Sequence, residues 1–144
     1  GWQGAFVQDN QSASCYGVVR GLHFQMGEYA QAKLVRVLQG TVVDVAVDLR
    51  PNSPSFGKSF AVELSDNNAF QLFVPRGFAH GFSVLSERAT FFYKCDNYYF
   101  KPSENGIHPY DNTLNIDWKI TKKAAILSAK DQAAQTLQQY LTSI

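Results

Sequence analysis

Between Gly40 and Pro51 the chain reads Thr41-Val42-Val43-Asp44-Val45-Ala46-Val47-Asp48-Leu49, and few stretches restrict a fold more. β-Branched residues at nearly every second place favour an extended strand. Side chains alternate across a strand, so Val43, Val45, Val47 and Leu49 face one way and Asp44, Ala46 and Asp48 the other. Two carboxylates on one face of so apolar a strand either meet solvent or point into a polar lumen. Arg50-Pro51-Asn52-Ser53-Pro54 stops the strand, because neither proline can donate to a ladder. Residues 33–38 alternate too, and the direct turn through Gln39-Gly40 predicts that these two runs form a hairpin.

Further strand-like runs fall at residues 5–9, 20–25, 59–64, 70–74, 82–85 and 90–96. The polar clusters Asp9-Asn10-Gln11-Ser12 and Ser65-Asp66-Asn67-Asn68 mark turns between them. The runs at 82–85 and 90–96 are expected to pair through Ser86-Glu87-Arg88. A helical period appears only at residues 124–144, where Ile126, Leu127, Ala134, Leu137, Tyr140 and Leu141 recur and Ser128 is placed to cap a helix with Asp131 in its first turn. That predicts a helix docked over one end of the sheet. With 144 residues, 45% of them hydrophobic and 17% charged, one globular domain over residues 1–144 is expected. A net charge of +1 without a basic run points away from nucleic acid, and no apolar run or leader pattern suggests a membrane or export. Two isolated cysteines, Cys15 and Cys95, indicate a reducing cytoplasm rather than a disulfide framework or a zinc site. Many short strands and one late helical segment imply an all-β jelly-roll barrel or sandwich.

Chemistry concentrates in Arg20-Gly21-Leu22-His23-Phe24-Gln25, where strict alternation places Arg20 and His23 on opposite sides. Pro75-Arg76-Gly77-Phe78-Ala79-His80 resembles the Pro-x-Gly-x-x-His turn of cupins, a jelly-roll family. Metal-binding cupins carry a second imidazole where this chain has Gln25, a poor ligand beside imidazole, so a metal-free cavity is expected. A neutral histidine can remove a proton from a carbon beside a carbonyl when a carboxylate orients its ring. Lys33 can stabilise the oxyanion that results. Tyr93, on the same face of its strand as Phe91 and Cys95, can return a proton from the opposite side and so invert the centre.

The runs Phe6-Val7-Gln8-Asp9-Asn10, Arg20 to Gln25, Lys33-Leu34-Val35-Arg36-Val37, Asp44 to Asp48, Pro75 to Phe82, Tyr93-Lys94 and Leu127-Ser128-Ala129-Lys130-Asp131 resemble, in order and spacing, the dTDP-4-dehydrorhamnose 3,5-epimerase family. That resemblance implies a cupin-like barrel, no cofactor and a homodimer with exchanged strands. It implies His23 as base, Asp131 as its orienting carboxylate, Tyr93 as opposing acid and Lys33 as enolate stabiliser. Arg20 and His80 would contact substrate, Gln8, Asn10 and Tyr99 would hold the nucleotide sugar, and Lys130 would join Arg20 at the phosphates. The substrate would be a dTDP-linked 4-keto-6-deoxyhexose. The family's N-terminal Asp-x-Arg-Gly-x-Phe segment is missing from these residues, so a truncated or shortened homologue is expected. Inversion at one centre only, a related deoxysugar isomerase, and an inactive nucleotide-sugar binding module are the alternatives.

Overall fold

The structure, a computed structural model, describes residues 1–144. Nine strands precede two short helices: β1 (Gln8–Cys15), β2 (Val19–Gln25), β3 (Lys33–Gln39), β4 (Thr41–Asp48), β5 (Ser59–Ser65), β6 (Gln71–Val74), β7 (Phe78–Val84), β8 (Arg88–Cys95), β9 (Glu104–Gly106), α1 (Ala129–Gln132) and α2 (Leu137–Thr142). They build two sheets of order β1-β8-β3-β6 and β5-β4-β7-β2-β9. Only β4 and β5 are neighbours both in the chain and in a sheet; every other connection crosses between the sheets. This is an all-β jelly roll, one of the two architectures that the strand pattern implied, and of the cupin-like kind that the family resemblance implied.

The expected hairpins do not form. β3 pairs with β6 and β8, whereas β4 pairs with β5 and β7. Gly40, at φ 89°, is a corner between sheets: a Cβ there would lie 2.2 Å from the Arg88 carbonyl oxygen. The runs at 82–85 and 90–96 likewise fall in different sheets, β7 and β8. Alternation identifies a strand but not its partner, and here each strand finds its partner across the barrel. The turn expected at Asp9–Ser12 is also absent, because those residues lie inside β1 and pair with Tyr93, Phe92 and their neighbours along the whole of β8. Tertiary pairing overrides their turn-forming composition.

The central strands β4 and β7 of the five-stranded sheet are buried on both faces, while the edge strand β5 is mostly exposed. One face carries Val19, Leu22, Phe24, Val43, Val45, Val47 and Leu49 beneath Ile107, Leu114, Trp118, Leu137 and Tyr140 of the C-terminal segment. The other meets the four-stranded sheet through Val42, Leu64, Phe82 and Val84 against Val35, Val37, Ala89 and Phe91. The C-terminal segment therefore covers the sheet's outer face rather than one end. It is not one helix either: the backbone bridges Gln135 to Ile107, and the His108 amide donates to the Gln135 carbonyl at 2.8 Å, which splits the helical run. Ser128 and Thr136 cap the two pieces, accepting from the Asp131 and Gln139 amides at 3.1 Å each. Asp111 ties the segment together by accepting from the Leu114 and Leu137 amides at 3.0 and 2.9 Å.

Candidate active site

The site begins with one extra residue in β2. Arg20 pairs with Phe82 and His23 with His80, so Gly21 and Leu22 together face the single residue Gly81. Such a bulge reverses the alternation beyond it. Arg20 and His23 thereby share the barrel interior, while Val19, Leu22 and Phe24 all face the outer core. This corrects the expectation that Arg20 and His23 point apart. Gly21 permits the bulge, since a Cβ there would lie 2.7 Å from both Gly81 Cα and the His80 carbonyl oxygen.

His23 Nε2 lies 2.6 Å from Asp131 Oδ1, across 108 residues of sequence. Asp131 Oδ2 accepts from the Gly21 amide at 3.1 Å, so both oxygens of this buried carboxylate are occupied. Burial works to raise the Asp131 carboxyl. The hydrogen bond and charge of His23, the Gly21 amide and Lys130 outweigh it and hold the group below the usual range. An ionised acceptor at Nε2 fixes the tautomer: the neutral ring carries its proton there and its basic lone pair on Nδ1. Directly across the ladder a second pair stands beside the first, with His80 Nε2 2.8 Å from Asp44 Oδ1. Asp44 is fully buried and its Oδ2 has no hydrogen-bond partner. Of the two settings open to the acids of β4, Asp44 therefore takes the lumen.

These groups open onto a cavity of about 250 Å³ whose lining includes Asn10, Arg20, His23, Lys33, His80 and Tyr93. His23 and His80 come from the five-stranded sheet, and Lys33 and Tyr93 from the four-stranded sheet, so acid and base groups face each other across the barrel. Burial pushes the Tyr93 phenol up to about 12, with Cys95 and Glu104 adding to the effect and Arg20 opposing it. It stays protonated at neutral pH. Burial lowers the Lys33 amine, while Cys95, Asp44 and Glu104 push it back up. That amine lies 5.6 Å from the centroid of the Tyr93 ring. A smaller space of about 90 Å³, lined by His23, Lys33, Tyr93, Tyr99 and Glu104 among others, adjoins on the β9 side. A wider groove of about 590 Å³ beside β5 contains no histidine.

The remaining expected residues stand nearer the rim. Arg20 is exposed and donates to Ser14 Oγ at 3.3 and 3.1 Å. Gln8 donates to Asn10 Oδ1 at 3.2 Å and accepts from the Tyr99 amide at 2.8 Å, which links three of them without placing Gln8 in the cavity wall. Lys130 is not in that wall either; it ion-pairs with Glu104 behind His23. Asp44 and Glu104 were not singled out from sequence as site residues. An acid inside a valine run was a signal for the first, and nothing local marked the second.

An imidazole held by the buried Asp131 carboxylate, with a protonated phenol and a lysine on the opposite sheet, is an arrangement suited to acid–base chemistry inside a cupin-like barrel. The dTDP-4-dehydrorhamnose 3,5-epimerase family profile matches residues 1–139. The chain is 55% identical over 141 residues to the dTDP-4-dehydrorhamnose 3,5-epimerase of Escherichia coli K12, covering 98% of this chain and 76% of the relative. The crystal structure of the enzyme of that name from Elizabethkingia anophelis is 59% identical with a TM-score of 0.93, covering 94% of this chain and 74% of the other. A Legionella pneumophila dTDP-6-deoxy-D-glucose-3,5-epimerase, solved with dTDP-4-keto-L-rhamnose, is 51% identical with a TM-score of 0.91, covering 95% and 72%. The chain belongs to the dTDP-4-dehydrorhamnose 3,5-epimerase family. No helix in it is long and apolar enough to cross a membrane.

Proposed function

We propose that this protein is an epimerase that inverts C3 and C5 of dTDP-4-dehydro-6-deoxy-D-glucose to give dTDP-4-dehydro-L-rhamnose. The observation that carries the reading is the buried Asp131 carboxylate 2.6 Å from His23, facing Tyr93 across the cavity. The 4-keto group acidifies the hydrogens at C3 and C5. His23 Nδ1 takes one of them, and Asp131 stabilises the imidazolium that forms. Negative charge moves to the carbonyl oxygen, where the Lys33 ammonium meets it. Tyr93, protonated up to about pH 12, delivers a proton to the opposite face of the ring and inverts the centre. Exchange with solvent takes the proton from His23 and returns one to Tyr93, and repetition at the second carbon completes the change. Arg20, exposed at the rim and paired with no carboxylate, is the cation for the diphosphate. A cytoplasmic homodimer belongs to the same proposal, and the mass of the particle in solution tests its oligomeric part.

The test is incubation with the 4-keto-6-deoxyglucose nucleotide in deuterated buffer, followed by NMR. Deuterium at both C3 and C5 with an L-configured product supports the reading. Deuterium at one carbon assigns a single-centre epimerase, and binding of dTDP without exchange assigns a binding module.

A further inference from the structure

Gln25 closes β2 at the place where the sequence parts from metal-binding cupins, and the mechanism above does not use it. Its side chain is buried, and its hydrogen-bonding groups are turned to backbone. Nε2 donates to the Tyr29 carbonyl at 2.7 Å and to the Tyr98 carbonyl at 3.1 Å, and Oε1 accepts from the Phe100 amide at 2.7 Å. Both amide hydrogens are thereby engaged, which leaves no donor for a ligand. The partners also fix which way the amide points: turned over, its oxygen would face two carbonyls and its nitrogen a backbone N–H. One buried side chain therefore ties the short helical turn Gly27–Tyr29 to residues 98–100, and the Tyr29 and Phe100 rings stack with centroids 4.1 Å apart and planes 20° from parallel.

Between Tyr98 and Phe100 this clamp holds Tyr99. The Tyr99 amide donates to Gln8 Oε1 at 2.8 Å, and its side chain, 52% exposed, borders the small space shared with His23, Lys33 and Tyr93. An exposed phenol ring beside the cavity is a surface on which a planar base stacks. A segment already held in its bound form spares the ligand the cost of ordering it. The residue before the clamp is anchored independently: the Asn97 carbonyl accepts from Gln31 at 2.9 Å, and the Asn97 side chain donates to the Glu28 carbonyl at 2.9 Å. Changing Gln25 thus loosens residues 98–100 without detaching the chain on their N-terminal side.

We propose that Gln25 is a positioning residue: its amide fixes residues 98–100 so that Tyr99 meets the pyrimidine base of the nucleotide. The inference rests on the proposed nucleotide-sugar substrate, and it assigns Gln25 to binding rather than to proton transfer.

Gln25→Met keeps the length and bulk of the side chain and removes all three hydrogen bonds. In that variant KM for dTDP-4-dehydro-6-deoxy-D-glucose should rise about 10-fold while kcat changes less than about two-fold, because ordering of the segment then falls to the binding step. The calorimetric Kd for dTDP alone should weaken by the same factor, since the sugar takes no part. Hydrogen exchange read by mass spectrometry should quicken in the peptide that contains Tyr99 and Phe100 and stay unchanged in β7 and β8. Folded Trp118→Ala, which loosens the outer core away from this segment, is the control for lost stability and should leave the dTDP Kd unaltered. An unchanged dTDP Kd in folded Gln25→Met, unaltered exchange at Tyr99 and Phe100, or a fall in kcat with KM unmoved overturns the inference. If the unaltered protein binds dTDP but does not epimerise, the proposed function fails, and the Kd and exchange comparisons still decide the role of Gln25.

Discussion

The two faces of the five-stranded sheet share the same strands and do opposite work. On the outer face β4 presents Val43, Val45 and Val47 to the apolar cluster that includes Trp118, Leu137 and Tyr140. On the inner face the same strand presents Asp44 to His80, and the neighbouring β2 presents His23 and Arg20 to the cavity. Alternation with a period of two lets one strand serve both purposes, and the bulge at Gly21 extends the arrangement to β2. The C-terminal segment ties the two faces together. It seals the outer core with Leu137 and Tyr140, and from its first short helix it sends Asp131 to His23. Stability and chemistry are thus separable by residue but not by segment.

Substitutions on each face should sort accordingly. The largest effect is expected inside. Asp131→Asn keeps the shape but removes the charge that orients and stabilises protonated His23, and should lower kcat by about 10³-fold, some 4 kcal/mol, in steady-state assays. On the outer face, Trp118 is 1% exposed and donates from Nε1 to the Pro109 carbonyl at 2.6 Å. Trp118→Ala should cost about 3–5 kcal/mol in denaturant unfolding, and the protein that remains folded should keep its kcat. If Trp118→Ala instead abolishes turnover in fully folded protein, the separation of faces is wrong. Arg20→Ala should raise KM by about 10-fold or more through loss of a charge-assisted contact, with a smaller change in kcat and almost none in unfolding midpoint.

The smallest expected effect concerns Asp48, an inner-face acid at the end of β4. Hydrogen bonds from Arg50, then from Ser53 and Ser55, hold its carboxyl far below the usual range against the opposing pull of burial. A depressed carboxyl stabilises the fold above its unfolded pKa, near 3.9, and that contribution is lost as pH falls through the folded value. Asp48→Asn should therefore lower the midpoint at neutral pH and flatten its decline in acid. A parallel decline in both proteins would show that Asp48 contributes nothing of this kind.

Much of this was legible before the fold. The period of β4 separated its apolar and acidic faces correctly, and the Pro75–His80 turn announced the barrel. Three things were hidden. A bulge adds one residue to a strand without a compositional mark, so counting parity through Gly21 put Arg20 on the wrong side of His23. The pairing of β3 with β8 rather than β4 depends on contacts far apart in sequence, which alternation does not encode. Glu104, in a three-residue strand, is marked only by the Tyr99 hydroxyl and the Lys130 ammonium that meet it in the fold. Its neighbours in sequence, Ser103 and Asn105, say nothing about an active site.

In the proposed reaction, removal and return of the proton fall to groups on opposing sheets, and one paired isotope experiment tests that division. With the dTDP-4-keto-6-deoxyglucose substrate in deuterated buffer, His23→Ala should lose exchange at C3 and C5 altogether, whereas Tyr93→Phe should still exchange while forming little inverted product. Exchange that persists in His23→Ala, or normal inversion by Tyr93→Phe, would contradict it.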